Sequence, residues 1–111
     1  MTMPVKQDLA CYKGQTYEQN FYFKHNGEPI ELTGCTAKAQ VRPVPNSDTL
    51  TAEFVCTVDG TAGEVSLGLS SETTAGFVPG SYAWDLQMTD THDDVRYWIQ
   101  GAFIVKGRVT K

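Results

Sequence analysis

Along most of this chain apolar and polar side chains take turns, and that rhythm constrains the fold more than any other feature. Cys35, Ala37, Ala39 and Val41 alternate with Thr36, Lys38, Gln40 and Arg42. Ala52, Phe54, Cys56 and Val58 alternate mainly with Thr51, Glu53 and Thr57. Val65, Leu67 and Leu69 alternate with Glu64, Ser66 and Gly68, and Tyr82, Trp84, Leu86 and Met88 with Ala83, Asp85, Gln87 and Thr89. Successive side chains of an extended strand point to opposite faces, so this period marks strands buried on one side only. A slip of one residue would drive lysines and arginines into the core.

Turn residues separate the runs. His25-Asn26-Gly27-Glu28-Pro29 reads as a hairpin turn, with Asn-Gly supplying positive φ angles. Leu32-Thr33-Gly34 is a bend, Pro43 to Asp48 a loop, Asp59 to Gly63 a second hairpin, and Asp90 to Asp94 a polar tip. Strands are expected at about 6–12, 16–24, 36–43, 51–58, 64–69, 80–89 and 94–106, with bounds good to ~2–4 residues. One segment departs from the pattern. Ser70 to Gly76 opens on capping residues with an early Glu72 and closes on glycine, which suits a single helical turn.

These elements predict an all-β fold: an immunoglobulin-like antiparallel β-sandwich of about seven strands with one short helical turn. The 111 residues, 41% of them hydrophobic, suffice for a single β-sandwich domain over 1–111. The Cys…Trp…Cys pattern of antibody domains is absent, so the likeness to immunoglobulins is architectural.

Charge and cysteines narrow the function classes. A net charge of −4 argues against nucleic acid as a partner, because phosphate neutralisation needs a basic surface. Lys106, Arg108 and Lys111 make the C-terminus basic, but no stacking platform accompanies them, so a solvated tail is expected. No run approaches the ~18 apolar residues of a membrane span, and no signal-peptide pattern is present. No membrane partner is expected, and synthesis in a reducing cytoplasm is. Cys11, Cys35 and Cys56 are odd in number and too far apart for a metal knuckle or a redox pair, so they read as buried thiols. His25 and His92 fall in turns with no nucleophile in a recognisable setting. Asp90, His92, Asp93 and Asp94 gather oxygen ligands on one tip, but without the glycine and spacing of a calcium loop. No catalytic residue, metal ligand or cofactor is assigned.

The aromatic residues give the best hint of a binding surface. Tyr17, Phe21 and Phe23 share one phase, which leaves Tyr22 on the other. On the last strand Val95, Tyr97, Ile99, Phe103 and Val105 share the inward phase, so Trp98 and Ile104 should project outward. An outward Trp is either packed under a loop or part of a protein contact. Tyr22, Trp98 and Ile104 are therefore the candidate interface residues.

Two blocks then suggest a family. Gly27-Glu28-Pro29-Ile30-Glu31-Leu32-Thr33-Gly34-Cys35-Thr36 precedes an alternating strand, and Pro79-Gly80-Ser81-Tyr82-Ala83-Trp84-Asp85-Leu86 follows the helical turn. Together, over residues 8 to 106, they resemble small β-sandwich structural proteins of tailed bacteriophages and prophages, such as the N-terminal domain of the siphophage upper-baseplate protein. The resemblance implies a non-enzymatic virion structural protein of the baseplate, tail, neck or head. It would be made in the bacterial host cytoplasm and bind other virion proteins or copies of itself as a homo-oligomer. The alternative is a carbohydrate- or cell-surface-binding module. A third class, a hydrolase using the Asp90–Asp94 cluster, is set aside, and the chain is expected not to be an enzyme.

Overall fold

The computed structural model describes residues 5–109. The first four residues of the N-terminus, and Lys111 of the basic C-terminal group, lie outside the described residues. Every expected run contains a strand. The 6–12 run holds β1 (Val5–Lys6) and β2 (Leu9–Tyr12), and the 16–24 run holds β3 (Tyr17–Tyr22) and β4 (Lys24–His25). A short β5 (Glu28–Pro29) closes the Asn-Gly hairpin on β4, with φ of 53° at Asn26 and 82° at Gly27. Then come β6 (Thr36–Arg42), β7 (Ala52–Glu53), β8 (Val55–Asp59) and β9 (Glu64–Leu69). The helical turn α1 (Ser71–Ala75) leads to β10 (Gly80–Thr89) and β11 (Val95–Lys106).

Two sheets stack as an immunoglobulin-like β-sandwich. The larger has the order β1-β11-β10-β6-β7, with β2 also on β11; the smaller is β3-β9-β8. Their inward phases meet in one core. Ala39, Val41, Trp84, Leu86, Ile99 and Phe103 come from the larger sheet, and Tyr17, Val65, Leu67 and Leu69 from the smaller. Phe54 joins them, with its ring centroid 6.0 Å from Trp84 and 5.6 Å from Phe103, both edge-on, a favoured aromatic geometry. α1 forms where expected: the Ser70 hydroxyl accepts from the Thr73 amide. The buried Thr74 hydroxyl donates to the Gln15 carbonyl at 2.7 Å and ties the turn to the start of β3.

The structure corrects three expectations. The sheet is not wholly antiparallel, because β1 and β2 run parallel to β11. Gln7 and Asp8 part the two segments, since their polar groups serve other partners. The Gln7 carbonyl accepts from Trp84 Nε1 at 2.8 Å, and Asp8 Oδ1 accepts from the Ala102 amide at 2.9 Å. Gly101 lies beneath this crossing; a Cβ there would stand 2.2 Å from the Gln7 carbonyl oxygen. Second, the 51–58 run belongs to both sheets. Ala52 pairs with Val41 in the larger and Val55 with Gly68 in the smaller, and the chain crosses at Phe54.

Third, the phase of β11 breaks. Leu86 pairs with Ile99, but Gln87 pairs with Tyr97, so Trp98 is an extra residue in a β-bulge. The bulge turns Val95 and Tyr97 outward, 51% and 45% exposed, rather than inward. It also lets Trp98 lean against the core, where its ring meets Phe23 edge-on at 4.9 Å. Trp98 is thus half-buried and does not project freely outward.

Candidate functional site: the outer face of the larger sheet

The polar phases of the larger sheet lie side by side. Strand register sets Lys6 beside Gln100, Gln100 beside Asp85, Asp85 beside Gln40, and Gln40 beside Glu53. One polar row thus crosses five strands. The next outward row on one side sets Ala102 beside Ala83 and Ala83 beside Arg42; the other sets Tyr97 beside Gln87 and Gln87 beside Lys38. Small alanines on one flank and longer side chains on the other give the face relief.

The loop after β6 raises a wall over this face. Pro43 and Pro45 exclude ladder pairing there. Asn46 takes a φ of 66°, a left-handed conformation that Asn tolerates better than most residues. Arg42 fastens the loop to the sheet, donating from Nη1 to the Ser47 carbonyl at 3.1 Å and from Nη2 to Gln40 Oε1 at 2.8 Å. Gln40 passes the chain on, donating from Nε2 to Glu53 Oε2 at 3.3 Å. Between wall and sheet runs an open groove of about 870 Å³.

Asp85 stands in the floor, half-buried. Loss of water contact pushes its carboxyl above the usual value, and the Arg42 charge draws it part of the way back. Among the described residues its carboxylate makes no hydrogen bond, nor does the side-chain amide of Gln100, whose backbone carbonyl accepts from the Gln7 amide. Gln87 Nε2 donates to the Tyr97 hydroxyl at 3.0 Å, which leaves Gln87 Oε1 free to accept. Three cations, Lys6, Lys38 and Arg42, line the groove against two carboxylates, Asp48 and Asp85. The groove is thus locally cationic on a chain of net charge −4. It contains neither His nor Cys. The arrangement can take up hydrogen-bonding and anionic groups; it offers no paired nucleophile and base.

The three interface candidates are not brought together. Tyr22, 61% exposed, stands on the outer face of the smaller sheet beside Glu64, whose carboxylate pushes the phenol pKa up. Ile104, 37% exposed, stands on the outer face of the larger sheet between Ser81 and Ala10, on the far side of the sandwich from Tyr22. Trp98 is half-buried against Phe23. At the acidic tip, Asp90 Oδ1 accepts from the His92 amide at 2.8 Å and the Asp94 amide at 3.0 Å, and these bonds hold its carboxyl below the usual range. That carboxylate shapes the turn. Cys11 is buried and its thiol pushed up by loss of solvent; Cys35 and Cys56 are half-buried, and all three are free. The sequence did show Lys38, Gln40, Arg42, Asp85 and Gln87 as the polar phases of two strands. Which strands are neighbours was the missing fact.

No family model matches the chain, and no curated protein matches it. Among solved structures, CopC from Methylosinus trichosporium OB3b is similar, with a TM-score of 0.51 and 12% identity over 99% of this chain and 90% of that one. At that identity the likeness is one of fold. The finding overturns the virion reading: CopC, a solved structure to which the chain is similar, is no baseplate, tail, neck or head protein of a phage, and no family model or curated match supplies one. The sugar- or cell-surface-binding alternative is set aside with it. The comparisons leave this chain with the sandwich it shares with CopC.

Proposed function

We propose that this chain is a non-enzymatic binding module whose working surface is the groove on the outer face of the larger sheet. One observation carries the reading: a half-buried Asp85 carboxylate, without a hydrogen-bond partner among the described residues, in the floor of a groove lined by other polar side chains. Placing a carboxylate where water is partly excluded costs free energy, and a ligand donor there would offset that cost. The scaffold favours this face for binding. The side chains of its floor rise from the adjacent strands β11, β10 and β6, so their spacing is set by backbone ladders.

The test is a titration of the isotopically labelled chain with a panel of small carboxylic acids, amines and amides, followed by amide chemical shifts. The largest shifts are expected at Lys38, Gln40, Asp85, Gln87 and Gln100. Shifts gathered instead around Tyr22 on the smaller sheet, or on the β4–β5 ribbon, would sink the reading.

A further inference from the structure

The geometry points to an acidic peptide segment of a partner protein as the occupant of the groove, lying across the strands with its carboxylates on Arg42, Lys38 and Lys6. The inference rests on the groove being the working surface and adds the class of partner. Charge is the first argument, since the groove brings three cations together against two carboxylates on a chain of net charge −4. Span is the second. Lys6 on β1 and the β6 pair Lys38 and Arg42 are three strand spacings apart, about 14 Å at ~4.8 Å per spacing. An extended segment of four or five residues covers that distance at ~3.3 Å per residue, with alternate side chains facing the sheet.

Asp85 supplies the third argument. It lies between the cations, diagonal to both Arg42 and Lys38 in the register, and would repel a bare dicarboxylate laid over the floor. A peptide carries N–H groups between its carboxylates, and those can donate to Asp85 and to the free Gln87 Oε1. The Gln100 amide can meet a peptide unit with both donor and acceptor. The groove is also open to solvent along the sheet, which suits a segment laid over a surface better than a small molecule that must be enclosed. Exposed Val44, on the wall, gives the segment an apolar side to lean on.

The experiment uses the whole 111-residue chain and a fluorescent octapeptide of alternating serine and aspartate, read by anisotropy at low salt. Binding is expected, weakening with added salt. It should fall by about tenfold or more when asparagine replaces aspartate in the peptide, and likewise in the Lys38→Gln/Arg42→Gln double variant. Lys38→Gln alone should lose a few-fold; Lys38 is exposed and lies outside the Arg42–Ser47 hydrogen bond, so that loss is not one of folding. Equal binding of the asparagine peptide, or undiminished affinity in the double variant, overturns the inference. So does tighter binding of an eight-nucleotide thymidine strand through the same residues. If small polar probes still shift the groove amides while the acidic peptide does not bind, the peptide inference fails and the groove reading stands. If neither perturbs the groove, both fail.

Discussion

The two faces of β10 come from one strand and behave as two materials. Inward, Trp84, Leu86 and Met88 are almost wholly buried, and Trp84 spends its indole N–H on the Gln7 carbonyl. Outward, Ala83, Asp85 and Gln87 are half-exposed, and the Asp85 carboxylate has no such bond among the described residues. The contrast teaches where this molecule has freedom. The inner face is fixed by packing and by satisfied polar groups, while the outer face keeps polar capacity in reserve.

The largest expected effect lies on the inner face. Trp84→Ala should cost about 3–5 kcal/mol, from lost burial, a cavity, and a Gln7 carbonyl left without its donor. Gln87→Ala, three positions along the same strand and facing outward, should change stability by no more than about 0.5 kcal/mol. Urea denaturation of the two variants checks the pair, and similar losses would break the comparison. Next comes Gly101→Ala, where the added Cβ meets the Gln7 carbonyl. A loss of about 1–3 kcal/mol is expected, with faster hydrogen exchange at the Gln7 and Ala102 amides, which bind across that crossing.

A smaller effect sharpens the outer face. Because the Asp85 carboxyl is raised in the folded chain, the folded state holds its proton to higher pH than the unfolded state does. Stability is therefore lost as pH climbs from the ordinary value of 3.8 through the raised one, and the loss persists above it. Asp85→Asn should melt higher than the parent at pH 7 and converge with it below pH 3.8. A thermal-melt series across that window checks the sign; a variant that melts lower at pH 7 would refute it. Smallest is Asp90→Ala. It should speed exchange at the His92 and Asp94 amides and leave the melting temperature nearly unchanged, because the tip is solvent-exposed.

Legibility in the sequence followed locality. The Asn26-Gly27 turn, the Ser70 cap and the buried phases of β6, β9 and β10 were readable because each depends on residues a few positions apart. The bulge at Trp98 was not. It appears only when β11 is laid against β10, and a parity count along β11 alone places Tyr97 inside and Trp98 outside. The crossing at Phe54 was hidden for a similar reason, since alternation runs smoothly through Ala52, Phe54 and Cys56 while the chain changes sheets. For the site, the polar members on β6 and β10 were visible as an outward phase; Lys6 and Gln100 gave no signal, being ordinary exposed polar residues on β1 and β11.

By itself the sequence determined that the chain is a two-faced β protein, because side-chain alternation and turn chemistry act within a few residues. Only the tertiary structure decided that Lys6, Gln100, Asp85, Gln40 and Glu53 share one row. Lateral order among strands is set by core packing and by ladders between distant segments, and no local pattern encodes which polar face will stand beside which.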